Sequence, residues 1–193
     1  MGDRATVIAE ALSPFFAAGE TVLEIGSGKG HVAQALESMT GIKMNLVDVV
    51  DYNETDMPLR KYDGLHLPFP DASFDLALFV FVLHHVPDPL PILKEGLRVS
   101  RNGIIIAENN VEGWLRRPIT RLVDSIPHFQ NGVPFCYHAM AIDDWLKLFG
   151  PLAVRPQQLT RFHLGFFWDN FIVRLDPGLP STGPTPLPAK PGE

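Results

Sequence analysis

Three glycines at alternate positions, Gly26, Gly28 and Gly30, follow a short β-prone run from Val22 to Ile25. Glycine permits positive φ angles and a close approach of the backbone to a ligand, and such a turn exposes free backbone N–H groups. Helix-forming residues continue from Val32 to Met39. The pattern predicts a buried strand, a glycine-rich turn and a helix that together hold a nucleoside-containing ligand.

The glycine spacing discriminates between two kinds of nucleotide ligand. A dinucleotide fingerprint has the form G-x-G-x-x-G, and its last position is occupied here by His31. An NAD-dependent oxidoreductase is therefore only the weaker alternative. The remaining pattern, G-x-G-x-G with Glu24 two positions before the first glycine, resembles the first motif of class I S-adenosylmethionine-dependent methyltransferases.

A second block of sequence extends this resemblance. Residues 62–77 read YDGLHLPFPDASFDLA, residues 82–89 read VLHHVPDP, and residues 93–99 read LKEGLRV. The block is similar to the central part of the methyltransferase type 11 family, the broad group of the ubiquinone and menaquinone methyltransferases. Together with the glycine turn it covers roughly residues 20 to 110 in unbroken order.

The resemblance implies S-adenosylmethionine as the cofactor. It places the turn Gly26, Ser27, Gly28 and Gly30 along the methionine and ribose part, with Glu24 orienting the turn or contacting the amino acid group. It assigns Asp48 to the ribose hydroxyls, which a carboxylate can accept in pairs; a turn or helix-cap role for Asp48 is the alternative. The other positions carried over are Asp63 for the adenine amino group, Gly64 and Leu65 beside the ring, and Leu83 and His84 over the cofactor.

Methyl transfer from a sulfonium is an in-line displacement, so a protein contributes alignment, exclusion of water and, for some acceptors, a base. Four candidate bases are expected near the cofactor: His84, His85, Glu108 and His138. In the family, the paired histidines also pack and contact the cofactor, and Glu108 can simply cap the next helix. Structural roles therefore remain open for all of them. No metal ligands with zinc-type spacing are found, and no metal is expected.

The alternation of strands and helices predicts an α/β fold with a mostly parallel sheet and ligands at the carboxyl ends of its strands. The resemblance implies a Rossmann-like three-layer sandwich of seven strands with a reversed last strand. Strands are predicted at 21–25, 43–50, 75–82 and 103–107, helices at 6–18, 32–39, 90–99 and 141–150, and a terminal hairpin at 152–162 and 166–175.

One segment departs from the family pattern. Only fourteen residues, many of them polar, separate Asp48 from Asp63. They are too few for the customary helix and the strand that follows it. We expect the helix between strands two and three to be shortened or absent, with a loop forming the adenine wall, which makes the role of Asp63 less secure than that of Asp48.

Composition bounds the remaining expectations. The 193 residues fit a single methyltransferase domain over 1–175, a substrate-covering segment at 111–140 and a disordered proline-rich tail at 176–193. A net charge of −6 argues against nucleic acid, and the absence of a long apolar run argues against a membrane span. The single cysteine suits a cytoplasmic protein.

A small-molecule methyl acceptor is expected. Its identity and the oligomeric state stay open. A non-catalytic cofactor-binding regulator or scaffold is the alternative.

Overall fold

The structure, a computed structural model, describes residues 3–111, 140–165 and 168–178. Seven strands form one sheet in the order β3-β2-β1-β4-β5-β7-β6. Their bounds are β1 Thr21–Ile25, β2 Lys43–Asp48, β3 Leu59–Lys61, β4 Leu76–Val80, β5 Ile104–Asn109, β6 Val154–Leu164 and β7 Trp168–Pro177. Strands β1 to β5 run parallel, whereas β7 is antiparallel to both of its neighbours. The α/β sandwich with a reversed last strand is thereby confirmed.

Helices cover both faces of the sheet. They are α1 Arg4–Leu12, α2 His31–Thr40, α3 Leu90–Val99 and α4 Ile142–Phe149, with single 3₁₀ turns at Ser13–Phe15 and Leu83–His85. Alternate residues of β5 divide between two cores: Ile105 and Ala107 pack with α1 and α2, and Ile104 and Ile106 pack with α3 and α4. This alternation on a strand buried on both faces produces the three layers.

The link between β2 and β3 contains no α-helix, in agreement with the expectation from its length. The segment nevertheless has room for a short strand after the missing helix, because Leu59–Lys61 pairs in parallel with Leu46–Asp48. Three residues at the edge of the sheet are enough to add this strand. Residues 49–58 therefore form a loop between two strands that are direct neighbours.

Several predicted bounds shift by a few residues. Strand β2 ends at Asp48, so Val49 and Val50 lie beyond it and are exposed, and β5 continues to Asn109. Strand β7 includes Asp176 and Pro177, which were expected in the tail. Residues 179–193 and most of the predicted substrate-covering segment lie outside the described residues. Within the described ranges, no helix has the length and apolar character needed to cross a membrane.

Candidate functional site

The glycine turn lies where β1 ends, at the carboxyl edge of the sheet. Its three glycines have positive φ angles, +74° at Gly26, +53° at Gly28 and +77° at Gly30. The N–H groups of Gly26 and Ser27 both donate to the carbonyl oxygen of Val47, at 2.9 and 3.2 Å. The turn is thus hydrogen-bonded to the neighbouring strand, and it leads directly into α2 through Gly30, which is the N-cap residue.

The three glycines meet different surroundings. A methyl group at Gly26 would collide with the side chain of Val82, and one at Gly30 would lie 2.7 Å from Oδ1 of Asn53. At Gly28, by contrast, nothing lies within 4 Å of the same position. Gly26 and Gly30 are therefore required by close packing inside the protein, whereas Gly28 leaves open space on the side where a ligand would approach.

Two buried carboxyl groups lie beneath this turn. Asp48 is 8% exposed and accepts hydrogen bonds from the N–H of Gly28 at 2.8 Å and of Val50 at 3.3 Å. Glu24 is 1% exposed, and its Oε2 has no hydrogen-bond partner among the described residues. Burial, with a smaller contribution from the charge of Asp48, raises the pKa of Glu24 to about 8. Among the described residues, no cationic side chain forms an ion pair with Glu24 that would hold its carboxylate charged.

Asp63 has a different environment from the one the resemblance implies. It is an exposed side chain that accepts from the N–H of His66 at 2.6 Å and of Leu65 at 2.8 Å, while its other oxygen lies 2.9 Å from Nδ1 of His66. These hydrogen bonds, those from His66 above all, hold the pKa of Asp63 well below its ordinary value. Asp63 therefore caps its own turn, and an adenine amino group would have to share its oxygens with His66.

Apolar side chains are exposed beside that turn. Leu65 is 56% exposed, Val49 is 46% exposed and Val50 is 37% exposed. A methyl group at Gly64, where φ is +85°, would lie 3.3 Å from the side chain of Val49. Gly64 therefore lets the segment after β3 approach the segment after β2. The predicted positions Gly64 and Leu65 lie beside this exposed apolar surface, whereas Val49 and Val50 were not singled out from the sequence.

A buried histidine–carboxylate pair joins the ends of β4 and β5. Nδ1 of His84 lies 2.7 Å from Oε2 of Glu108, and the side chains are 5% and 0% exposed. Oε1 of Glu108 accepts the N–H of Leu83 at 2.8 Å. Leu83 itself is fully buried in the core, so it supports the 3₁₀ turn. The structure thus brings together two of the four candidate bases.

The remaining two candidate bases are His85 and His138. The ring of His85 lies 3.9 Å from that of His84, centroid to centroid, and so extends the pair. His138 lies outside the described residues. No group of three or more histidine, cysteine or acidic residues suited to a metal ion occurs in the described ranges.

Some site features were missed from the sequence. Phe81, the residue after β4, has a φ of +52°, which is unfavourable for a non-glycine residue and marks backbone strain at the carboxyl end of this strand. Asp169, at the start of β7, accepts from Nδ2 of Asn110. The position of Asp169 follows only from the antiparallel pairing of β7 with β5, so no local sequence signal could have found it.

Part of the chain is similar in sequence to known methyltransferases. Residues 23–107 match a family model described as a methyltransferase domain. The chain is 33% identical over 99 residues to 27-O-demethylrifamycin SV methyltransferase of Amycolatopsis mediterranei, a match over 45% of this chain and 36% of that protein. It is 33% identical over 96 residues to demethylmenaquinone methyltransferase of Listeria monocytogenes, over 47% and 40%. The matches thus span less than half the length of these relatives.

Solved structures show the same fold. A SAM-dependent methyltransferase from Methanosarcina mazei has a TM-score of 0.67 at 18% identity, covering 88% of this chain and 97% of its own. Geranyl diphosphate methyltransferase in complex with SAM has a TM-score of 0.65 at 13% identity, covering 89% and 84%. The glycine turn and the second block resemble those of methyltransferases, and this resemblance is confirmed.

Proposed function

We propose that this chain, whose residues 23–107 match a methyltransferase-domain family model, transfers the methyl group of S-adenosylmethionine to a small-molecule acceptor. The observation that carries the proposal is the glycine turn, with open space at Gly28 above the buried carboxyl groups of Asp48 and Glu24. The relatives named as rifamycin and menaquinone methyltransferases support an organic small molecule as the acceptor.

The residues present fit this cofactor. Oε2 of Glu24 is buried without a hydrogen-bond partner among the described residues, which suits a cationic amino acid group. Asp48 stands at the end of β2, where a carboxylate can accept the ribose hydroxyls while it holds the N–H of Gly28. The exposed apolar side chains of Val49, Val50 and Leu65 suit the adenine ring. When bound, S-adenosylmethionine supplies an electrophilic methyl group on a positively charged sulfur.

The first test is calorimetric titration with S-adenosylhomocysteine, the product of the reaction. We expect wild-type protein to bind it, and Asp48→Ala to bind it at least tenfold more weakly, because each hydrogen bond to a charged group contributes about 1.5–3 kcal/mol. Asp56→Ala removes a carboxylate at an exposed position of the loop that follows β2 and serves as the matched control. Unchanged affinity in Asp48→Ala would show that Asp48 does not contact the ribose.

The same titration separates this proposal from the alternatives. Binding of NAD without binding of S-adenosylhomocysteine would favour the oxidoreductase. Binding of S-adenosylhomocysteine with no methyl transfer to any tested acceptor would favour a cofactor-binding regulator or scaffold. The proposal requires both binding and transfer.

A further inference from the structure

We propose that Arg4, Phe81 and Phe162 form a subsite for the methyl acceptor, and that the acceptor carries a planar ring and an anionic group such as a carboxylate. This inference rests on the proposed function, because it concerns the second ligand at the same edge of the sheet. It adds the chemical class of the acceptor and three residues that determine specificity. Arg4 supplies the positive charge, and the two phenylalanines supply aromatic surface.

The three side chains meet at one place. Cζ of Arg4 lies 5.6 Å from the centroid of the Phe81 ring, within the range of a cation–π contact. The rings of Phe81 and Phe162 lie 6.3 Å apart, centroid to centroid, at an interplanar angle of 49°. Arg4 is exposed, and both phenylalanines are half-buried. The cluster therefore presents a cation and part of two aromatic side chains to the surface.

The cluster lies on the other half of the sheet edge from the adenosine contacts proposed above. Those contacts end β2 or follow β2 and β3, at the start of the sheet order. Phe81 follows β4, on the other side of β1. Phe162 lies opposite Asn170, which lies opposite Asn109, the last residue of β5. Because adenosine would occupy the β2–β3 half, the acceptor would approach the methyl group from the half that carries this cluster.

An unusual backbone conformation directs the ring of Phe81 to this place. Its φ is +52°, a left-handed conformation that residues with large side chains rarely adopt. Side chains of a regular strand alternate between the two faces of a sheet. Val80 and Phe81, however, both pack against the core formed with α1 and α2. The left-handed backbone thus keeps the ring on the face of Arg4, and such strain is typical of ligand-binding positions.

The charge of Arg4 is not neutralised by a neighbouring acid. In the part of the chain that the structure describes, its guanidinium forms no ion pair with a carboxylate. The adjacent Asp3 accepts the N–H of Ala5 at 2.7 Å and thereby caps α1. A cation–π contact leaves the five N–H donors of a guanidinium available, and a carboxylate or phosphate can accept two of them at once. The subsite therefore favours an anionic group on the acceptor.

A second arginine–phenylalanine contact provides a matched control. Cζ of the exposed Arg60, in β3, lies 5.2 Å from the ring centroid of Phe69. Strand β3 lies at the opposite end of the sheet order from β6, which carries Phe162. Substitutions of Arg60 and Phe69 thus remove the same kind of contact away from the proposed subsite.

The test uses two probes that share a ring and differ in charge, 2-naphthoate and 2-naphthamide. Ligand-observed NMR measures the affinity of both for protein saturated with S-adenosylhomocysteine. We expect Arg4→Gln to weaken 2-naphthoate binding at least about tenfold, because it removes charge-assisted hydrogen bonds, and to leave 2-naphthamide binding unchanged. Phe162→Leu should weaken the binding of both probes about threefold to tenfold, because the ring contact is lost. Arg60→Gln and Phe69→Leu should change neither affinity.

Equal 2-naphthoate affinity in wild type and Arg4→Gln would overturn the inference, as would an equal loss in Arg60→Gln or no binding of 2-naphthoate to wild type. A weaker affinity of Arg4→Gln for S-adenosylhomocysteine would overturn it too, because the guanidinium would then hold the carboxylate of the cofactor. Should Phe162→Leu fail to fold, the comparison of Arg4→Gln with Arg60→Gln still decides, since both arginines are exposed.

The failure of the proposed function gives a different result. Wild-type protein that does not bind S-adenosylhomocysteine would contradict the proposed function itself. The 2-naphthoate titration is repeated without S-adenosylhomocysteine, so that loss of the anion subsite and loss of the cofactor site are observed separately.

Discussion

Burial changes the protonation state of Glu24 in the folded protein. It is buried under the glycine turn, and its pKa is raised to about 8, mainly by burial. At neutral pH the unligated protein therefore holds this side chain mostly protonated, although an exposed glutamate would be ionised. At this side chain, the folded state binds one proton more than the unfolded chain between roughly pH 4.5 and 8.

This proton gives a testable dependence of stability on pH. The stabilisation from Glu24 is fully present below the ordinary glutamate pKa and is lost as the pH rises through about 8. Glu24→Gln imitates the protonated form, so it should match wild type at pH 4.5 and exceed it by a few kcal/mol at pH 9, at about 1.4 kcal/mol for each unit of pKa shift. Urea unfolding at both pH values measures this, with Glu10→Gln as the control. Equal stability of wild type and Glu24→Gln at pH 9 would show that burial does not raise the pKa of Glu24.

Site residues whose surroundings come from the neighbouring sequence were predictable. Contacts with other parts of the chain were not. Gly28 and Asp48 occupy positions given by one turn and one strand end, and the structure brings them together. Asp63 keeps its place in the chain, but its oxygens are engaged by His66, a neighbour whose contact the motif did not reveal. The contact of Val82 with Gly26 was not predictable, because it joins positions 56 residues apart and has no motif.

At the scale of elements, the loop over residues 49–58 replaces a helix and is fastened to the glycine turn. The N–H of Glu54 donates to the carbonyl oxygen of Lys29, and the side chains of these residues form an ion pair of 2.7 Å. Oδ1 of Asn53 accepts from the hydroxyl of Thr55 beside Gly30. The loop thus supports the outer side of the turn.

Two alanine substitutions in the turn should distinguish the contribution of the loop to stability from the contribution of the turn to ligand affinity. Gly30→Ala and Gly28→Ala both force a side chain into positive φ, which costs about 1–2 kcal/mol. Gly30→Ala should cost about 1–3 kcal/mol more, because its methyl group meets Asn53 and Thr55. Gly28→Ala has space for the methyl group, and its larger effect should be on S-adenosylhomocysteine affinity, at least tenfold. Urea unfolding and calorimetry measure the two effects.

A double-mutant cycle provides the control for this prediction. Asn53→Ala removes the oxygen nearest to the new methyl group at Gly30 and should recover part of the stability lost in Gly30→Ala. It should recover none of the stability lost in Gly28→Ala. Additive effects for Asn53→Ala with Gly30→Ala would contradict the proposed support by the loop.

Element types followed from the sequence more reliably than element ends. Continuous apolar runs predicted β4 and the first part of β5, since both faces of these strands are buried and favour apolar side chains. Their last residues were less certain, because a strand ends where pairing with its neighbour ends. Strand β3 was missed since only three residues pair, too few for a periodic pattern.

At the scale of the whole molecule, the proposed ligand contacts come from the ends of four strands. The glycine turn follows β1, Asp48 ends β2, His84 follows β4 and Glu108 lies in β5. These four strands contribute buried side chains to both hydrophobic cores. The four strand ends come together only in the folded chain, so ligand binding should be coupled to global unfolding.

That coupling predicts a thermal shift specific to one cofactor. With S-adenosylhomocysteine at one hundred times its Kd, binding to the folded state alone adds about 2.7 kcal/mol. For a domain of this size, each kcal/mol raises the Tm by about 2–4 °C, so a rise of roughly 5–11 °C is expected. Asp48→Ala at the same ligand concentration should lose most of the shift, and Asp56→Ala should keep it. NAD should leave the Tm unchanged, because His31 replaces the last glycine of the dinucleotide turn; a rise with NAD alone would contradict the assignment of the site.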